Sequence, residues 1–274
     1  MTSPSQSRRK RRFAGFVAVA LLSGVGGFAL ARLTKPPPPQ PVPTVRPASV
    51  EPEEVPLQLP VMDRRAILLA ITSAADRHAL GVPDGDEART LAGRSFEVRI
   101  AFGCDGPSKS ANESGWRFET QSQKLTVHVT PDDLREFPPV APLIESGAAE
   151  AAEGYWISRP WAGEARCVAA ADPASSMIDR SAGLVQIQSP QSSRVGRRAE
   201  PLTAVKTVEA GELRAGEGFE LVLSGRIARW PGAGSIRCHS AQPSQRPSCL
   251  IAVKIDEVAI DGIATGERIA RWTS

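Results

Sequence analysis

The chain has 274 residues, 41% of them hydrophobic and 23% charged, with a formal net charge of +3. That positive balance is local: residues 1–35 hold seven Lys or Arg and no acid, so the remainder carries 26 basic against 30 acidic residues, a net of −4. A mildly acidic folded part lacks the basic excess that phosphate neutralisation demands, which excludes nucleic acid as the partner.

At the amino terminus Arg8, Arg9, Lys10, Arg11 and Arg12 precede a 19-residue uncharged apolar stretch, opened by Phe13 and closed by Ala31. At about 1.5 Å per residue this stretch reaches roughly 28 Å as a helix, the hydrocarbon thickness of a bilayer. The basic flank holds the amino terminus on the cytoplasmic side. Residues 1–12 therefore read as a cytoplasmic tail and residues 13–31 as a signal anchor, which makes the lipid bilayer the first expected partner. The competing reading is a cleaved secretory signal, because Ala29-Leu30-Ala31 has the small-x-small pattern of a cleavage site after Ala31. The length of the apolar run and the spacer behind it favour the anchor.

Residues 32–60 form that spacer. Ten of the 25 residues from 36 to 60 are proline. Proline fixes φ and removes amide donors, so the segment favours polyproline II and spans roughly 75 Å at about 3.1 Å per residue.

About 215 residues remain, from 61 to 274, enough for a hydrophobic core in one β-rich domain or in two subdomains, 61–150 and 151–274. Asp63 is placed to cap a helix, with Ile67, Leu68, Ile71, Ala74, Ala75, His78 and Ala79 at helical spacing until Gly81 and Pro83 stop it. His78, on this stripe, reads as a packed or edge residue rather than a ligand. The period then changes to two: Phe96, Val98, Ile100 and Phe102 alternate with polar neighbours, as do Trp116 and Phe118, and then Leu125, Val127 and Val129. These predict three antiparallel strands, the second and third joined through Gln121, Ser122 and Gln123, with Lys124, Thr126 and His128 on the exposed face. Residues 131–153 read as a loop with a short alanine-rich helix over 147–153.

Tyr155, Trp156, Ile157 and Trp161 gather three of the six Trp and Tyr residues into seven positions. They form either a core plug or an exposed patch in which Trp156 and Trp161 contact a ligand. Further strands are predicted over 184–188, 204–208, 218–230 and 249–260, the last ending at the turn signal Asp261-Gly262. The pentapeptide Arg-Ile-Ala-Arg-Trp occurs at 226–230 and again at 268–272. Its flanks do not extend the match, so it reads as a pair of equivalent edge strands with outward arginines.

Four cysteines suit an oxidising compartment and two disulfides. Cys238 and Cys249 enclose ten residues that include Pro243 and Pro247, which favours their pairing with each other and leaves Cys104 for Cys167. A zinc site on Cys238, His239 and Cys249 is the sharper alternative, but no CxxC or HxxxH spacing accompanies it. No GxSxG, HExxH or GxxxxGK[ST] motif occurs. The carboxylate pair Asp132 and Asp133, and Asp256, Glu257 and Asp261 near the final turn, read as solvated charge. The sequence thus assigns no catalytic, cofactor-binding or metal residue.

The expected fold is mainly β in an α+β arrangement: an antiparallel, sandwich-like exported domain with one N-terminal amphipathic helix, behind a transmembrane helix and a proline-rich linker. The expected role is that of a non-enzymatic interaction or scaffold protein of a bacterial inner membrane, whose periplasmic domain presents an edge strand or loop surface to an envelope protein. The alternative is a periplasmic glycan-binding or glycan-acting protein, with Trp156 and Trp161 as stacking platforms and Glu153 or Glu164 as acids.

Overall fold

A computed structural model of the chain describes residues 59–83, 90–110, 113–167, 179–190, 201–209 and 218–273. The basic tail, the apolar run from Phe13 to Ala31 and all but the last two residues of the linker lie outside them. No helix among the described residues is long and apolar enough to cross a membrane.

The elements in chain order are α1 (Arg64–Ala79), β1 (Ser95–Phe102), β2 (Gly115–Glu119), β3 (Lys124–Val129), β4 (Asp132–Asp133), α2 (Ala141–Glu145), β5 (Ala151–Trp156), β6 (Ala182–Gln188), β7 (Leu202–Thr207), β8 (Phe219–Ile227), β9 (Ile236–His239), β10 (Ser248–Gly262) and β11 (Arg268–Thr273). The fold is mainly β, in two sheets. The larger runs β1-β8-β10-β6-β5-β4, with β9 and β11 also paired to β10; the smaller is β2-β3-β7. Every pairing is antiparallel except β6 with β10.

Asp63 caps α1 through its carboxylate, which accepts the Ala66 amide at 2.8 Å and so satisfies one of the orphan donors of the first turn. Ile67, Leu68, Ile71, Ala74 and Ala75 are buried, while His78 is exposed in the last turn.

The 15-residue β10 organises the larger sheet. Ala228 donates to the Ala252 carbonyl and the Ala252 amide donates to Ser235, both at 2.8 Å. Because both groups of Ala252 point to one side, β8 and β9 run end to end along that edge of β10. The other edge is shared by β6 and β11. A bulge lies between Ile255 and Glu257. Ahead of it Cys249, Ile251, Val253 and Ile255 face the main core; behind it Val258 and Ile260 do. One inserted residue thus switches the parity of a period-two strand while the same face stays apolar.

The main core joins α1 and the inner faces of β1, β8 and β10 to Trp116, Leu125, Val127 and Val129 of the smaller sheet. Each side chain as fully enclosed as Ile67, Leu223 or Ile251, all at 0% exposure, contributes about 1.5–3 kcal/mol. A second cluster forms around Leu134, Val140, Trp156, Val185, Leu250 and Ala252, with Leu143 and Ile144 of α2 packed on it. Leu57–Ser274 form one compact unit.

Several sequence expectations need correction. The strand β1 pairs with β8, not with the β2–β3 hairpin. No helix covers 147–153: Gly147, at φ 73°, follows the end of α2, and 151–156 form β5. The side chain of His128 is not on a solvated face; the residue is 6% exposed, between Gly115 of β2 and Thr203 of β7. The two Arg-Ile-Ala-Arg-Trp copies are not equivalent edges. The first ends β8, which lies between β1 and β10, and places Trp230 beyond it at 2% exposure, whereas the second forms the outer strand β11. Asp261 is no solvated turn residue: it lies in β10 at 4% exposure, and Arg99 and Arg268 both pair with its carboxylate.

Two disulfides staple the domain. Cys104 is joined to Cys167 with a Cα separation of 5.3 Å, and Cys238 to Cys249 with 4.0 Å. The second bridges directly opposed residues of β9 and β10, and the Cys249 amide turns away from β9 to the Ser181 carbonyl. It therefore occupies a non-hydrogen-bonded pair, where Cα atoms approach most closely. Gly218, at φ 64°, passes so near the Cys167 sulfur that a β-carbon would overlap it.

Candidate functional site

Two features stand out from the packed framework. The first grows from the start of α1. Arg64 lies three residues ahead of Ile67 on the buried face and is 5% exposed. Its guanidinium donates only to carbonyls: Nη2 to Ser158 at 2.6 Å and Arg159 at 3.1 Å, Nε to Ala162 at 3.2 Å, and Nη1 to Arg99 at 2.9 Å. Burial pushes the guanidinium below the usual arginine range, and Glu220 offsets part of that. Three of these carbonyls belong to the loop 158–163, where Arg159 takes the left-handed φ of 49° that a non-glycine residue rarely adopts. The Ala162 amide closes the loop onto the Arg159 carbonyl at 2.9 Å, and Cys167 beyond it is tied to Cys104. With its carbonyls drawn inward, the loop turns Trp161 outward at 68% exposure.

The same contacts occupy part of the outer edge of β1. Met62 bridges Phe96, Arg64 takes the Arg99 carbonyl, and the Ser158 hydroxyl donates to the Ala101 carbonyl at 3.2 Å. A partner strand finds the rungs at Ser95, Glu97, Arg99 and Ala101 already partly taken there.

The second feature is a cleft of ≈ 390 Å³ between residues 132–138 and the β9–β10 turn. Its floor is apolar, with Trp156 and Phe137 edge to face at a centroid distance of 6.0 Å. Asp132, Glu136, Arg180 and Arg246 line it together, and His239 lies edge-on to Phe137 at 6.4 Å. Asp133 also lines it but is held by Arg135, whose hydrogen bonds keep its carboxyl below the usual carboxylate range. No hydrogen bond or ion pair joins Glu136, Arg180 or Arg246 to another described side chain. Partial burial pushes the Asp132 carboxyl up, with Arg180 opposing. Burial likewise raises the Tyr155 phenol, helped by Glu153 and Asp132.

Comparison with family models, curated proteins and solved structures yields no match to this chain.

Of the two tryptophans expected to contact a ligand, Trp156 is 9% exposed at the cleft and Trp161 stands on the braced loop. They do not share one platform. Glu164 is ion-paired with Arg166, and Glu153 sits in β5 opposite Gln186. His239 lines the cleft, but the Cys238–Cys249 bridge consumes both thiolates a zinc site would use. No cluster of three metal-ligating side chains occurs among the described residues. Arg64, Arg180 and Arg246 were not singled out from sequence. Arg64 carried a signal, since extending the Ile67, Leu68, Ile71 stripe back by three residues lands on it.

Asp132 supplies a direct test of strain at the cleft. Its carboxyl is raised above the unfolded value, so its ionisation costs stability. That cost is absent below the ordinary aspartate range, about pH 3.9, and sets in as the pH climbs through the raised value. Asp132→Asn should accordingly raise the melting temperature at pH 7 by about 1–3 °C. The gain should vanish in melts recorded near pH 3, and a gain of equal size at both pH values would contradict the argument.

Proposed function

We propose that this chain is a single-pass protein of a bacterial inner membrane, amino terminus cytoplasmic, whose exported β domain docks an envelope protein through the Trp161 loop. Trp161 carries the reading. A large aromatic side chain, 68% exposed, stands on a loop whose backbone is fixed by a buried arginine and bounded by a disulfide. Such an anchor loses little conformational freedom on binding, and interface energy concentrates in rigid Trp and Arg contacts. The two disulfides suit an oxidising compartment. Two sheets sharing one core with α1 suit the sandwich-like arrangement. With four backbone groups of the outer β1 edge already bonded, a loop surface suits docking better than that strand.

A photo-cross-linking side chain at position 161 of the full-length chain, in its native membrane, tests this. A discrete protein adduct should form from position 161 and not from position 205, where Val205 is 57% exposed on β7. Trp161→Ala should weaken the affinity for that adducted protein at least tenfold. Identical adducts from both positions, or glycan adducts alone, would sink the proposal. Intact mass settles the tether: a chain beginning at Arg32 has been cleaved, and a complete one is anchored.

A further inference from the structure

The cleft beside Trp156 is a different surface from the Trp161 loop, and its chemistry selects a ligand class. Asp133 and Arg135 neutralise each other. What remains is Asp132 and Glu136 with Arg180, close enough to act on Asp132, and Arg246, beside the aromatic rings of Phe137 and Trp156. A plain anion attracted by the guanidinium groups meets two carboxylates in the same cavity. A cation attracted by the carboxylates meets two guanidinium groups. A neutral glycan offers no ionic partner to charges of either sign, and Trp156 at 9% exposure offers it little ring face. A ligand carrying one charge of each sign, separated by an apolar body, answers all four groups and the floor together. The volume of ≈ 390 Å³ lies at the lower end of small-ligand pockets. It therefore suits a compact molecule rather than a length of folded partner.

We propose that this cleft binds a short zwitterionic peptide, its carboxylate on Arg180 and Arg246, its ammonium on Asp132 and Glu136, and an apolar side chain on Phe137 and Trp156. The Cys238–Cys249 bridge fixes the strands that carry one wall, so the site is held in shape before the ligand arrives. Arginine favours this role because its planar donor fork engages a carboxylate with two parallel hydrogen bonds.

The full-length chain in mild detergent at low salt is titrated calorimetrically with three probes: tri-leucine with free ends, its N-acetyl form and its C-terminal amide. Free tri-leucine should bind, and blocking either end should weaken it at least tenfold. Arg246→Ala should abolish the preference for the free acid over the amide while keeping the preference for the free amine. Asp132→Asn should do the reverse. This crossed pattern does not follow from general damage to the fold. Absence of binding by free tri-leucine at millimolar concentration overturns the proposal, as do capped peptides that bind within twofold of the free one. Displacement of tri-leucine by inorganic phosphate with equal affinity overturns it too, because the cleft is then a simple anion site.

Discussion

Arg64→Ala should lower stability by about 3–5 kcal/mol, a loss on the order of 10 °C in melting temperature for a domain of this size. Four carbonyls lose their donor at once, and an unsatisfied buried polar group costs about 1–3 kcal/mol. Two effects keep the total below the sum: water reaches part of the loop, and the variant no longer desolvates a guanidinium. Arg64→Lys should recover little, since an ammonium has three donors at one point and cannot serve Arg99 on β1 and Ser158, Arg159 and Ala162 on the loop together. The loop should loosen before the core does. Proteolysis between 158 and 163 should accelerate in both variants at temperatures where far-ultraviolet circular dichroism still reports a folded sheet. A melting temperature within about 3 °C of the parent for Arg64→Ala would show that the carbonyls find other donors and that the brace is dispensable.

The same residue shows where the sequence was readable. Periodicity marked α1 and its Asp63 cap because both are local, fixed by helical spacing and one side-chain hydrogen bond. It marked the two hydrophobic parities of the strands, and hence a mainly β domain. It could not order them. That β1 joins β8, 121 residues from Arg99 to Glu220, while β2 and β3 join β7 in a separate sheet, is a matter of long-range pairing that alternation leaves open. The helix expected over 147–153 failed because alanine propensity is a weak prior, and pairing with β6 won. Asp261 looked like turn chemistry beside Gly262, yet β10 runs through it, and Arg268 on the adjoining β11 and Arg99 on β1, across β8, make its burial tolerable. The cleft was the least legible part. Asp132, Arg180 and Arg246 are spread over more than a hundred residues of the chain, and charged residues spaced so widely carry no motif until the sheet gathers them.

Removing the disulfides one at a time should separate the two surfaces. Cys104 and Cys167 lie 63 residues apart and Cys238 and Cys249 lie 11 apart, so loop-closure entropy assigns about 4 kcal/mol to the first bridge and about 3 kcal/mol to the second. Paired Cys→Ala replacements avoid placing a hydroxyl where Cys249 is 0% exposed. Denaturant titration should rank C104A/C167A as the less stable variant, by about 1 kcal/mol. The binding consequences should cross that ranking. The first bridge bounds the segment that leads from the Trp161 loop, so its loss should reduce cross-linking from position 161 and spare the cleft. The second joins β9 to β10 beside His239 and Ser248, both on the cleft, so its loss should weaken tri-leucine binding and spare the adduct at 161. Parallel losses in both variants, scaling only with stability, would mean that neither bridge organises a site and that both act on the fold alone. A crossed result, measured well below each variant's melting temperature, requires that each staple shape the surface it adjoins.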